Sequence, residues 1–441
     1  MTDPEEYDRW YCDACQQKGL AHVRRAPRRK SGREKPKTDY AAVEDGRPSA
    51  PLERWALYMK EYADAPSCAR IVSGDTWTPE WLMQPDALIS PSLVPADEKK
   101  NIKGLQVPPQ TMKVRDIAEI LGDDTPVEVI DVVTQMSFPW TLGDWTKYFE
   151  LPADERERIL NIISLEVTGT RLGEMISAPA MVYVNDWVER DWPKSHRPLA
   201  QDSSKWPKVQ RYILMGVQGA FTGESVLTDF HIDFAASMVY YHVLWGHKVF
   251  LFAPPTSSNL AAYRAWTSSS RQEAEWLGDK LQRMTRVEIS AGETLFIPPG
   301  WIHAVHTAQD SLVIGGNFLS DCDVPMHFKL EELELATGVP RKFRFPHLVR
   351  LAWYVAFGWH QRLLKDDVSP NVKDGILALC NRLETEVHRI DGCVLKQHIS
   401  KVQRAAYDAV PWDVVPDPKA LLFAIRVLLE QPKKRKREDS E

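Results

Sequence analysis

Apolar positions follow three rhythms along this 441-residue chain. Residues 1–39 are polar and show little periodicity. Between residues 40 and 178 the pattern is mostly helical. Residues 114–121 carry apolar side chains at amphipathic helical spacing, and 140–151 and 153–165 also predict helices. Asp154, Glu155 and Glu157 sit near the start of the last of these, where acids suit a helix N-terminus. The rhythm changes near residue 179. Residues 181–184, 211–217, 237–244, 248–252, 286–289, 293–297 and 311–315 are short β-rich runs. Pro254-Pro255 and Pro298-Pro299-Gly300 punctuate them. Many short strands at this spacing predict an antiparallel barrel, closed or two-sheeted, of the jelly-roll or cupin type. Residues 256–279 are helical in character. Beyond residue 340 helices return at 348–357, 375–383 and 418–429, the last with Pro418 where a helix can start.

The fold expected is mixed β and α, a double-stranded β-helix with helical elements before it and a helical domain after it. The boundaries expected are a disordered basic arm (1–39), a mixed helical region supporting the barrel (40–178), the barrel (179–335), a C-terminal helical domain (336–430) and a basic tail (431–441).

Composition narrows the class. Hydrophobic residues make up 44% of the chain, ample for a large core. No apolar run approaches the ~18 residues of a membrane span. The acidic start, with Asp3, Glu5 and Glu6, lacks the basic-then-apolar pattern of a signal peptide. Six cysteines form no disulfide framework, which implies a reducing, intracellular compartment. The net charge is only -6, but it is unevenly spread. Arg24, Arg25, Arg28, Arg29, Lys30, Arg33, Lys35 and Lys37 form one basic cluster, and Lys433, Lys434, Arg435, Lys436 and Arg437 another. Such ends are solvated. They also suit nuclear import or contact with nucleic-acid phosphate, so a nuclear location is expected.

The chemistry concentrates at His231-Ile232-Asp233 and at His303, which follows the turn Pro298-Pro299-Gly300-Trp301. Two histidines and one carboxylate on one face of Fe(II) leave positions open for substrate and oxygen. Residues two apart on a strand point to one side, so His231 and Asp233 can reach one metal. A 2-oxoglutarate co-substrate would need its far carboxylate held, and Lys248 can do so by a charge-assisted hydrogen bond. Thr228 can add a hydroxyl. Tyr241 either donates its phenol to the co-substrate or packs the core. The plainer readings are a chance His-x-Asp, an exposed strand-start lysine at 248 and strand filler at 228.

Four motifs carry a family resemblance: residues 228–234, 241–250, 297–305 and 315–319. They resemble the signature of JmjC-domain histone lysine demethylases, most closely the fungal form of the branch acting on lysine-36 of histone H3. The likeness extends to 130–132, 161–166, 186–188 and 339–344. It implies iron at His231, Asp233 and His303, and 2-oxoglutarate at Thr228 and Lys248 with Tyr241 and Asn161. It further implies O₂ as oxidant, formaldehyde and succinate as products, the histone H3 tail and nucleosome as partners, and a role in chromatin and transcription regulation. DNA phosphate is a further partner through the basic ends; no membrane partner is expected. The alternatives are a catalytically weak chromatin-binding protein and a protein hydroxylase of the same fold. The chain departs from the family pattern in three places. Ala235-Ala236 replaces Gly-Gly, which is expected to narrow a methyl-lysine channel. Residues 222–227 look inserted. His306 stands where the family tends to have tyrosine. Cys12 and Cys15 resemble the closing pair of a PHD finger, but they supply too few ligands for a four-coordinate zinc site. A finger remnant that binds no zinc is expected there.

Overall fold

The computed structural model describes residues 7–9, 23–24, 61–131, 137–198, 205–218, 226–269, 272, 275–365, 372–391 and 400–430. The chain divides into two compact units, Met1–Gly46 and Arg47–Glu441. In the first unit, strands β1 (Tyr7–Arg9) and β2 (Val23–Arg24) pair antiparallel, within the arm expected to be disordered. Cys12, Cys15 and the basic residues from Arg25 to Lys37 lie outside the described residues, as do residues 222–225 and the tail from 431.

The second unit holds thirteen strands among its described residues. They are β3 (Arg70–Ile71), β4 (Ser92–Val94), β5 (Pro126–Asp131), β6 (Ser137–Thr141), β7 (Leu160–Glu166), β8 (Tyr212–Gly216), β9 (Val226–His231) and β10 (Met238–Trp245), then β11 (His247–Ala253), β12 (Thr285–Ser290), β13 (Thr294–Ile297), β14 (Ile302–Thr307) and β15 (Ser311–Phe318). One sheet runs β3-β4-β13-β10-β15-β8-β7-β5-β6 and a second runs β12-β11-β14-β9. Side chains alternate across a strand. On β10, Val239, Tyr241 and Val243 therefore share one face, and they pack with Phe250 and Phe252 of β11 in the other sheet. Met238 and Tyr240 face the opposite way, into a separate core with Trp77 and Phe318. A central strand buried on both sides reads as a continuous apolar run, which is how residues 238–245 appear in the sequence. The Cupin-type two-sheet architecture expected from the strand rhythm is the one observed.

Helices surround the sheets. They are α1 (Pro79–Leu82), α2 (Val114–Leu121), α3 (Leu142–Phe149), α4 (Ala180–Asn185), α5 (Trp187–Asp191) and α6 (Ser257–Thr267), followed by α7 (Val324–Thr337), α8 (Leu348–Leu364), α9 (Lys373–Asp391), α10 (Lys401–Ala409) and α11 (Pro418–Glu430). Leu351 and Val355 of α8, Ile376, Leu379 and Leu383 of α9, and Leu422 and Ile425 of α11 form the C-terminal core, which also takes in Trp187 of α5.

Two local expectations are overturned. Residues 153–165 are not a helix: after a short 3-10 turn at Ala153–Glu155, residues from 160 form β7. The β-branched Ile159, Ile162 and Ile163 favour a strand, and β8 supplies a partner for it. Residues 181–184 are not a strand but lie in α4, capped ahead by Pro179 and closed by Asn185 Nδ2 donating to the Met181 carbonyl at 2.9 Å. Met181 and Val182 are buried while Tyr183 and Val184 are exposed, the one-sided burial of a helix at a surface.

Candidate active site

β9 and β14 pair antiparallel with His231 directly opposite His303. The ring centroids lie 4.2 Å apart. His231 Nδ1 donates to the Asp229 carbonyl at 2.8 Å, and His303 Nδ1 donates to the Trp301 carbonyl at 3.0 Å. Each backbone acceptor fixes the tautomer and leaves Nε2 with a free lone pair, the arrangement a metal-ligating histidine needs. Burial, with the ring of His231 beside it, pushes the His303 imidazole down to about 4, so it is neutral at physiological pH.

β9 ends at His231, so Asp233 is not a strand residue; it opens the turn Phe234–Ala236. Its backbone remains extended, and its carboxylate still arrives beside the histidines, with Oδ2 3.7 Å from His303 Nε2. Asn317 of β15 donates to Asp233 Oδ1 at 3.0 Å and to Ser237 Oγ at 3.0 Å. The three candidate ligands are thus gathered, though loosely. Among the described residues no three histidine, cysteine or acidic side chains stand at full metal-ligand spacing. The donor set, two imidazoles with Nδ1 engaged by backbone carbonyls and a carboxylate oriented by an outer hydrogen bond, fits Fe(II).

The turn itself is unusual. Ala235 has φ 51 and Ala236 φ 48, a left-handed pair without glycine. Each costs about 1–2 kcal/mol relative to an ordinary conformation. Both alanines are fully buried, and their methyl groups pack in two different apolar clusters.

At the other end of the site, Lys248, the second residue of β11, lies on the face of Phe250 and Phe252 and is only 3% exposed. Burial alone pushes its ammonium down to about 7. Its hydrogen-bond partner is Thr307 Oγ1, a neutral group, and Thr307 sits opposite it in the β11–β14 register. A Cβ placed on Gly216 of β8 would lie 3.2 Å from Asn161 Oδ1, 3.2 Å from Lys248 Nζ and 3.2 Å from Thr307 Cγ2. The bare glycine keeps a small polar cradle open where Asn161, Lys248 and Thr307 converge. A buried cation with a hydroxyl and an amide around it fits one carboxylate of 2-oxoglutarate.

Tyr241 stands on the same inner face, edge-on to Phe250 at 5.3 Å, and burial pushes its phenol up. Position 228 is odd relative to 231, yet it pairs with Val305 while His231 pairs with His303. The register shifts between those two pairs. Thr307 escaped the sequence reading. The signal was available: His303, Val305 and Thr307 alternate onto one face of β14. His306 falls on the other face, opposite Val249 and Leu227.

Comparison with known proteins bears on this arrangement. Residues 188–323 match the family model described as a Cupin-like domain. The chain is 44% identical over 420 residues to JmjC domain-containing histone demethylation protein 1 of Mycosarcoma maydis, covering 82% of this chain and 62% of that protein. It is 39% identical over 365 residues to the protein of the same name from Yarrowia lipolytica, covering 80% of this chain and 68% of that one. It is 41% identical over 258 residues to lysine-specific demethylase 2A of Xenopus tropicalis, covering 57% of this chain and 22% of that one.

Proposed function

This chain belongs to the family of JmjC domain-containing histone demethylation protein 1, and from that membership we propose that it is an Fe(II)- and 2-oxoglutarate-dependent demethylase of histone lysine. The observation that carries the reading is one continuous inner face. His231, His303 and Asp233 lie at one end, and a buried lysine whose hydrogen-bond partner is a neutral hydroxyl lies at the other.

In this proposal His231 and His303 offer Nε2 and Asp233 offers its carboxylate to iron. Lys248, Thr307 and Asn161 hold the far carboxylate of 2-oxoglutarate, with Thr228 and Tyr241 as further contacts. Iron, O₂ and 2-oxoglutarate together supply the oxidising power that hydroxylates an N-methyl carbon, giving succinate and CO₂; the hydroxymethyl group then leaves as formaldehyde. The chain contributes position and dryness. Phe250, Phe252 and Trp301, all buried, wall the site against water and pack around His303, Phe252 at 5.5 Å and Phe250 at 6.0 Å.

Lysine-36 of histone H3, mono- or dimethylated, is the substrate proposed from the motif resemblance, with the H3 tail and nucleosome as partners and the nucleus as location. DNA phosphate contact is assigned to the basic ends. The residues outside the barrel are proposed to act as its support, N-terminal at 40–178 and C-terminal at 336–430. The test is mass spectrometry on a panel of methylated histone H3 peptides, with formaldehyde and succinate measured together. Loss of methyl groups with stoichiometric formaldehyde is expected. Succinate with a stable hydroxylated peptide would make the protein a hydroxylase, and no succinate at all would make the barrel a binding module. Better turnover of lysine-4 or lysine-9 peptides would refute the lysine-36 assignment alone.

A further inference from the structure

Asp233 is followed at once by the left-handed pair Ala235 and Ala236, and α7 grips that pair from outside the barrel. The Ala235 amide donates to Glu334 Oε1 at 2.7 Å. His327 Nδ1 donates towards the Ala235 and Ala236 carbonyls, each at 3.1 Å, and its Nε2 lies 3.3 Å from the Ser320 carbonyl. Glu334 and His327 are both buried. Inside the turn, Ser237 donates its amide to the Phe234 carbonyl at 3.0 Å. α7 is itself anchored from the C-terminal helices. Arg382 of α9 makes a two-pronged pair with Glu331 at 2.7 and 2.8 Å and a further bond to Glu386 at 2.6 Å.

A left-handed pair of alanines persists only where its surroundings over-determine it. Glycines would hold the same shape with little help. We propose that Glu334 and His327 are positioning residues for the carboxylate of Asp233, acting through the Ala235-Ala236 turn that they clamp. Neither touches the candidate metal position. Their role is to keep the backbone after Asp233 from relaxing, which would swing its carboxylate away from the two histidines. The clamp matters here because this chain has alanine at both positions. The inference rests on Asp233 being a metal ligand, as argued above.

The experiment is a titration of the full-length protein with Mn(II), read by electron paramagnetic resonance of the free ion, with no substrate or turnover involved. Glu334→Ala is expected to weaken Mn(II) binding about tenfold, the lower end of what losing an outer support does to metal affinity. Glu334→Gln keeps a carbonyl oxygen for the Ala235 amide and is expected to bind within about twofold of wild type, which also covers the case that Glu334→Ala does not fold. Placing Glu334→Ala on an Ala235→Gly, Ala236→Gly background is expected to recover most of the loss. An unchanged Mn(II) affinity in Glu334→Ala would overturn the proposal. So would an equal loss in the alanine and glycine backgrounds, or a tenfold loss in Glu334→Gln. Asp233→Ala serves as the control. If it keeps full Mn(II) affinity, the ligand assignment fails. If it loses binding while Glu334→Ala does not, the clamp alone fails.

Discussion

Replacing Lys248 by methionine should make the co-substrate-free protein more stable at neutral pH while removing its response to 2-oxoglutarate. Methionine keeps most of the stem volume and drops the charge. The buried ammonium sits at about 7, against an ordinary value of 10.5 in the unfolded chain. The folded value is the lower one, so between these pH values the unfolded chain binds a proton that the native chain has released. Stability therefore rises with pH from about 7 towards 10.5, and is lost as pH falls back through about 7. At ~1.4 kcal/mol for each pH unit, that interval is worth at most ~5 kcal/mol. Solvent penetration and relaxation reduce this, to ~1–3 kcal/mol by the behaviour of other buried ions. Urea unfolding of both proteins at pH 7.5 and pH 9.5 measures it. The variant should be more stable at pH 7.5, with the difference shrinking at pH 9.5. At 2-oxoglutarate one hundred times its dissociation constant, wild type should gain ~2.7 kcal/mol and the variant nothing. A variant less stable than wild type at pH 7.5 would refute the unpaired-cation argument. A variant still stabilised by 2-oxoglutarate would remove Lys248 from the carboxylate site.

His231→Ala removes one of three candidate protein ligands and should abolish formaldehyde release; turnover at the wild-type rate would end the iron assignment. Thr307→Val deletes the hydroxyl beside Lys248. One hydrogen bond is worth ~0.5–1.5 kcal/mol, so the KM for 2-oxoglutarate should rise roughly 2- to 13-fold with kcat little changed, and a fall in kcat alone would contradict that role. A tagged chain lacking residues 24–37 and 433–437 should lose nuclear accumulation in fluorescence microscopy; undiminished accumulation would place the signal elsewhere. Purified protein should carry no zinc attributable to Cys12 and Cys15, and stoichiometric zinc by elemental analysis that disappears when both become serine would reverse that expectation.

The barrel strands were legible because period-two alternation and turn residues announce themselves locally. Residues 238–245, 247–253 and 285–290 all fall where the β-rich runs placed them. His231, His303 and Lys248 could be singled out for a related reason, since the chemistry sought confines candidates to few residue types at strand positions, and the structure brings His231 opposite His303. What stayed hidden depends on partners distant in sequence. β7 looks helical until β8 is beside it, and α4 looks like a strand until its buried side is known. The clamp on Ala235 comes from Glu334, 99 residues away. No local pattern marks a glutamate on α7 as the acceptor for an amide in a turn after β9.

The same separation decides what a working fragment must contain. The stretch matching the Cupin-like family model, residues 188–323, includes His231, Asp233, Lys248 and His303. It excludes β7, and with it Asn161, whose side chain completes the cradle over Gly216. It also excludes the fastening that holds the approach to β7. Arg156 is buried and donates to both oxygens of Asp310 at 2.7 and 2.8 Å, and to the carbonyls of Phe149, Leu151 and Gln218. Asp310 lies between β14 and β15, so this one side chain ties the N-terminal strands to the strands carrying His303 and Asn317. It excludes all of α7 as well, where Glu334 grips the turn after Asp233. Cutting at the family boundaries would leave the candidate ligands present and both ends of their support missing. Removing one partner of a fully buried hydrogen-bonded charge pair costs ~3–5 kcal/mol; Arg156 is buried but Asp310 is 33% exposed, so the loss here is smaller, yet still felt against the ~5–15 kcal/mol by which domains are stable. Segments on both sides of the matched stretch thus support the candidate site, and the smallest piece expected to keep it intact runs from the Arg156 fastening through α7.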